Sequence, residues 1–194
     1  MARPVEFVYE DVLNNAMEQF WREGFHASSV QKLLDVTGIN RGTLYNSFGD
    51  KDTFFRSCLK QYNELVEKDL NASLLNESLE SWDAVRQYFR VTALGASAKR
   101  RSKGCLLVNS FCESINYDKD LQKVVRSYYN AIRKAFLKRM KEAEKAGTLK
   151  KGLSPDLAAD LLMNTLDGIR VSSREGKAPK QMQAIVDFSI SSLQ

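Results

Sequence analysis

The chain has 194 residues, 43% of them hydrophobic, and a formal charge of +5. That length leaves room for a sizeable core in one or two domains, and no apolar run is long enough for a membrane helix. Three cysteines are too few for a disulfide scaffold, and Met1–Glu6 lack the apolar core of a signal peptide, so a cytoplasmic protein is expected.

Helical periodicity and few prolines predict an all-α chain. After a short lead, the first helix runs from about Val8 to Glu23, with Leu13, Ala16, Met17 and Phe20 as its buried stripe and Gly24 as its stop. His26 is the sole histidine. It has no Cys or carboxylate at ligand spacing, so it reads as a packing or backbone-contact residue and no metal site is expected.

Residues 28–51 are the most informative stretch. Ser28 and Gln31 are spaced as a capping box, and Val30, Leu33 and Leu34 give the helix that follows one apolar face. Thr37-Gly38-Ile39 breaks that helix. Asn40 then caps a second helix, Arg41 to about Phe48. Leu44 and Phe48 form its inner side, leaving Arg41, Thr43, Tyr45 and Asn46 outward. Helix, short glycine-containing turn, helix is the pattern that places a second helix in the DNA major groove.

The outward residue types suit that task. Arg41 can pair with guanine, Asn46 with adenine, and the Thr43 methyl can meet thymine. Ser28, Ser29, Thr43, Tyr45 and Lys51 can bond phosphate oxygens, aided by helix N-termini at Ser28 and Asp50. Charge alone does not make this argument. Residues 1–60 balance to −1 and residues 61–194 to +6, so steering must come from Arg41, Lys51, Arg56 and Lys60, with a shallow salt dependence.

A fourth helix starts at Asp50 and runs to about Asn71, its apolar side including Phe54, Phe55, Cys58, Leu59, Tyr62 and Leu65. Residues 72–80 read as a polar linker or helix end. The next helix spans about Ser81 to Lys99, with Trp82, Val85, Phe89, Thr92 and Ala96 at three- and four-residue steps. Lys99, Arg100, Arg101 and Lys103 then precede Gly104-Cys105, where a helix opens and continues through Phe111 and Ile115. A long helix from Asp118 to about Ala146 carries Leu121, Val125, Tyr128, Ile132, Phe136 and Met140 inward; its lysines form a solvated face. Ser154-Pro155 starts a helix to about Arg174, and Lys180 to about Leu193 forms the last.

The series Ser29-Val30, Val36-Thr37-Gly38-Ile39, Gly42-Thr43-Leu44-Tyr45, Phe48, Lys51 and Phe54 resembles the DNA-binding domain of TetR-family transcriptional regulators over about residues 8–56. The chain has Ser47 where many relatives carry His. The resemblance implies an N-terminal three-helix helix-turn-helix domain, residues 1–58, and a C-terminal helical ligand-binding and dimerisation bundle, residues 59–194. It implies a homodimeric, ligand-controlled repressor on a near-palindromic double-stranded operator, paired through its last two helices, with the fourth helix carrying the signal. Thr43, Tyr45 and Lys51 would anchor phosphates; Arg41 and Asn46 would read bases.

A ligand-binding bundle should offer an apolar cavity with a few polar groups. Its candidate lining residues are Tyr62, Trp82, Phe89, Phe111, Tyr117, Tyr128 and Asn164. Cys105 sits at a predicted helix N-terminus behind four cations, both of which favour the thiolate. Gly104-Cys105-Leu106 is also similar to the sensor segment of the electrophile- and oxidant-responsive TetR subgroup. Cys112 lies about 10.5 Å further along an intact helix, beyond disulfide reach. An enzyme using Cys105 as nucleophile and a helical protein–protein adaptor are the alternatives. Neither a Gly-rich phosphate loop nor a Ser-His-Asp set accompanies the cysteine, and no cofactor is expected.

Overall fold

In the computed structural model, which describes residues 7–194, every regular element is helical. Helix α1 (Tyr9–Glu23) buries Val12, Leu13, Ala16, Met17, Phe20 and Trp21 on one face and stops at Gly24, whose φ is 85°. Helix α2 (Val30–Thr37) ends at Gly38 with φ 71°, in the left-handed region that glycine occupies without steric cost. Helix α3 (Arg41–Phe48) begins where Asn40 Oδ1 accepts from Thr43 N at 2.8 Å. Helix α4 (Lys51–Asn71) begins where Asp50 Oδ1 accepts from Thr53 N at 2.7 Å. Both caps satisfy helix N–H groups that otherwise lack a partner, as their residue types predict.

The capping box expected at Ser28 and Gln31 does not form. Ser28 is fully buried and its hydroxyl donates to Gly24 O at 2.6 Å. The cap is the next residue, Ser29, whose Oγ accepts from Lys32 N at 3.2 Å. Gln31 instead bonds Asp35 on its own helix at 2.8 Å.

Phe20 joins these short helices. Its ring centroid lies 6.2 Å from Phe25, 6.4 Å from Phe54 and 4.7 Å from Phe55. With Leu33, Leu44 and Phe48 these rings form one apolar centre beneath α2 and α3. Burial of this kind, about 1.5–3 kcal/mol per large side chain, holds helices too short to stand alone.

Helix α5 (Ser81–Phe89) is shorter than its periodicity predicts. A π-turn follows at Arg90–Leu94, and a separate short helix α6 (Ala98–Arg101) starts behind a Ser97 cap. The break has a local cause. Gly95 N donates to Arg90 O at 2.8 Å, and a Cβ at Gly95 would lie 2.9 Å from that carbonyl. The chain can close there only on a residue without a side chain.

Helix α7 (Leu106–Glu113) follows Cys105, and a 3-10 turn (Ser114–Asn116) leads to α8 (Lys119–Lys145). Helix α9 (Pro155–Arg174) is capped by Ser154, whose Oγ accepts from Leu157 N at 3.2 Å; α10 (Pro179–Leu193) completes the chain. Helix α8 packs against α9, α5, α4 and α7, and α10 packs against α9. Tyr88 and Phe89 meet Phe136 in the middle of this bundle.

Residues 72–80, expected as a polar linker or helix end, wrap a buried arginine. Arg139 Nε donates to Leu74 O at 2.7 Å and Nη1 to Leu79 O at 3.1 Å, with Asn76 O and Glu142 as further partners. Helix α7 reaches α1, α4 and α8, which puts it between the first three helices and the bundle.

Candidate functional site

The outer side of α3 carries the residues expected to meet DNA. Leu44 and Phe48 are buried, whereas Arg41, Tyr45 and Asn46 are exposed and Thr43 is half-buried. Ser29 is exposed at the start of α2. Ser28 is not available: its hydroxyl is turned inward and bonded, so it is withdrawn from the phosphate-contact set in this conformation. Lys51 lies in the first turn of α4 with its Nζ 4.4 Å from the centroid of the Phe25 ring. Burial lowers its pKa, while Asp52 and Glu113 pull it upward.

Cys105 is the N-cap of α7, as its position predicts, but it is 2% exposed; of the four preceding cations three are engaged elsewhere and Lys99 is exposed. Lys103 pairs with Glu18 at 2.6 Å and lies over the Trp21 ring; Arg100 pairs with Asp69; Arg101 donates to Ala96 O. The cation against the sulfur is Arg170 of α9, a residue the sequence reading did not single out. Its Nη1 donates to Cys105 Sγ, and the Tyr62 hydroxyl approaches the same sulfur at 3.4 Å. Arg170 is itself 6% exposed and falls on the buried stripe of α9 with Leu166, Ile169 and Ser173. A charged residue in phase with an apolar stripe was the available signal.

Around this group the phenols and carboxylates are strained by burial. Burial pushes the Tyr62 hydroxyl well above the usual phenol range, and Cys105 adds to that effect. Burial raises Asp167, although the hydroxyl of Tyr129, which donates to it, and the Arg170 charge both oppose the shift. Among the described residues, Tyr88 OH has no hydrogen-bond partner.

The expected ligand-lining residues do not converge on one cavity. Tyr62 adjoins Cys105, but Trp82 donates to Thr148 Oγ1 at 3.1 Å in another part of the bundle. Phe89 is packed on Phe136, Phe111 is 41% exposed and stacked on Tyr129, and Asn164 is exposed on α9. Tyr128 is half-buried, and Tyr117 packs on Phe25 and Phe55. Aromatic residues at helical spacing serve here mainly to fill the core, which their period alone does not separate from a pocket. A cleft of about 260 Å³ does open between α7 and α9, lined by Val108, Cys112, Glu113, Arg170, Val171 and Arg174 among others.

Residues 12–58 match the family described as "Bacterial regulatory proteins, tetR family". The HTH-type transcriptional repressor ComR of Escherichia coli (strain K12) is 26% identical over 189 residues, 97% of this chain and 90% of that protein. The HTH-type transcriptional regulator YezE of Bacillus subtilis (strain 168) is 32% identical over 163 residues, 82% of this chain and 81% of its own length. Among solved structures, a cysteine mutant of the TetR family regulator CifR complexed with 26 bp double-strand operator DNA superposes with a TM-score of 0.85 at 21% identity, covering 100% of both chains. Reduced NemR of E. coli gives 0.78 at 16% identity over 95% of this chain and 97% of that one. The α1–α4 geometry, the match to residues 12–58 and the likeness to YezE over most of both chains agree: the chain belongs to the TetR family of bacterial transcriptional regulators.

Proposed function

We propose that the protein is a homodimeric, sequence-specific DNA-binding repressor that leaves its operator when a small molecule or a thiol modification alters its C-terminal bundle. In this reading residues 1–58 are the DNA-binding head and residues 59–194 the effector-binding and dimerisation body. The observation that carries it is the amphipathic α3: Leu44 and Phe48 fix it to the core while Arg41, Tyr45 and Asn46 face out. Arg41 and Asn46 read base edges; Ser29, Thr43, Tyr45 and Lys51 hold phosphates.

A near-palindromic operator requires paired heads about one helical turn apart, roughly 34 Å. The pairing surface is formed by α9 and α10. It is supported by exposed Leu157, Leu161, Val171, Ile185 and Phe188 on those helices, and by Gly168, where a Cβ would meet nothing within 4 Å. Selection of bound duplexes from a random pool tests the reading. The expected result is a near-palindromic site bound tightly over scrambled competitor; no preference for any duplex would end the proposal.

Release through Cys105 is favoured by Arg170 and Tyr62, both of which direct donors at its sulfur. Those donors stabilise negative charge on the attacking atom, and the burial of the thiol restricts attack to small reagents or to moments when α7 shifts. Cys105→Ser should keep operator binding and lose its response to electrophiles, while Cys112→Ser should keep both. A turnover screen with the same Cys105→Ser variant separates this role from that of an enzymatic nucleophile. The sole histidine lies against Tyr117, with ring centroids 5.8 Å apart, rather than against the thiol.

A further inference from the structure

Helix α7 is capped by Cys105 and ends at Glu113, whose carboxylate leaves the bundle and crosses onto the link between α1 and α2. Glu113 Oε2 accepts from Phe25 N at 3.0 Å and lies 3.5 Å from His26 N. The Tyr117 hydroxyl is 3.5 Å from the same oxygen. Gly24 leaves room for the crossing: a Cβ there would fall 1.8 Å from Glu113 Oε1 and push the carboxylate aside. A glycine at that point therefore serves two ends, a φ of 85° and a passage for the carboxylate.

The residues on the other side of this contact belong to the DNA-reading surface. Phe25, whose N–H is held, supports Lys51 on its ring. The same link leads directly into Ser28, locked inward on Gly24 O, and the Ser29 cap of α2. Two other polar contacts from this side reach α1: Asn109 Nδ2 lies 3.4 Å from Trp21 O, and Lys103 pairs with Glu18. Glu113 is thus the acidic group of α7 that is bonded to the segment setting the start of α2.

We propose that Glu113 is a positioning residue for DNA reading: its carboxylate holds the 24–26 link, and through it α2, α3 and Lys51, in the pose that meets the operator. This rests on the repressor reading above. It adds a route by which the body acts on the head, since the cleft between α7 and α9 is lined by both Glu113 and Arg170, the partner of Cys105. A shift of α7 at its Cys105 end withdraws the carboxylate at the other.

The test uses the full-length protein, the operator duplex recovered by selection, and Glu113→Ala, Glu113→Gln and Gly24→Ala. Glu113→Ala loses an acceptor of charged type, and operator affinity should fall about tenfold, the ratio for one such bond. Glu113→Gln keeps an acceptor oxygen and should recover part of that loss. Gly24→Ala displaces the carboxylate and also forces a side chain onto a φ of 85°, so its loss of affinity should be at least that of Glu113→Ala. The dependence of affinity on salt should keep its slope, because the phosphate contacts are rearranged and not removed. Amide exchange at Phe25 and His26 should quicken in Glu113→Ala while the melting temperature of the whole chain changes little. Wild-type affinity in Glu113→Ala, or unchanged exchange at those two amides, overturns the proposal. If the wild-type protein prefers no duplex, the repressor reading fails instead, and the exchange rates still report whether Glu113 holds the link.

Discussion

At the level of single residues, the outer face of α3, Lys51 of α4 and the three thiols make separable predictions. Lys51→Ala should weaken binding to all duplexes alike and reduce the salt slope by about one, as expected for a phosphate contact. Asn46→Ala should cost about 1–3 kcal/mol of discrimination and relax preference at one base pair. Competition binding against single-base operator variants distinguishes the two. The thiols differ by burial: Cys112 is exposed, whereas Cys58 is fully buried, and that burial pushes its thiol far above the usual range. In the native protein a bulky maleimide should label Cys112 first and Cys58 only after unfolding. Mass mapping of a labelling time course checks this order.

Much at this scale was legible in the sequence. Asn40, Asp50 and Ser154 cap the helices that their types and positions predict, because a cap is a contact between near neighbours. Ser28 and Ser29 show the limit of that logic. Either hydroxyl could have capped α2, and what decided between them was Gly24 O, four residues upstream. The Arg170–Cys105 and Glu113–Phe25 contacts join residues 65 and 88 positions apart, and no local pattern encodes such pairs.

Among the elements, the buried stripes of α1, α4 and α8 follow the predicted periodicity, while the segments between the helices do not. The turn at residues 72–80 looks like a linker because Ser73, Asn76, Glu77, Ser78 and Glu80 outnumber its leucines. Its order is imposed from outside by Arg139, which donates to three of its carbonyls. Arg139→Ala should therefore destabilise the protein by about 3 kcal/mol, since it leaves several buried acceptors without donors. Urea unfolding would measure this, with Arg139→Lys recovering only part because an ammonium cannot reach all three oxygens. The π-turn at Arg90–Leu94 escaped prediction for a different reason. Its apolar spacing continues past Phe89, so periodicity extends the helix, and only the packing of Gly95 on Arg90 O ends it.

For the molecule as a whole, the exposed apolar side chains of α9 and α10 predict how the proposed dimer can be broken. Phe188, 75% exposed, and Leu161, 41% exposed, lie outside the core of a single chain. Leu161→Glu with Phe188→Glu should yield a folded monomer, because neither residue supports its own bundle. Sedimentation should show the halved mass, and operator binding should fall by orders of magnitude once the two heads are no longer linked. Loss of fold together with loss of dimer would place these residues in the core instead.

Asp118 performs two tasks with one carboxylate. It caps α8 through Asp120 N and Leu121 N, each at 2.8 Å, and grips Arg56 of α4 at 2.8 and 2.9 Å. The bonds from the α8 backbone and from Arg56 hold its acidity below the usual carboxylate range. Its stabilising contribution is therefore present above the unfolded carboxylate pKa and disappears as pH falls through the lower folded value. A single proton then removes the α8 cap and the Arg56 tie together, so acid should weaken both contacts in one step rather than two.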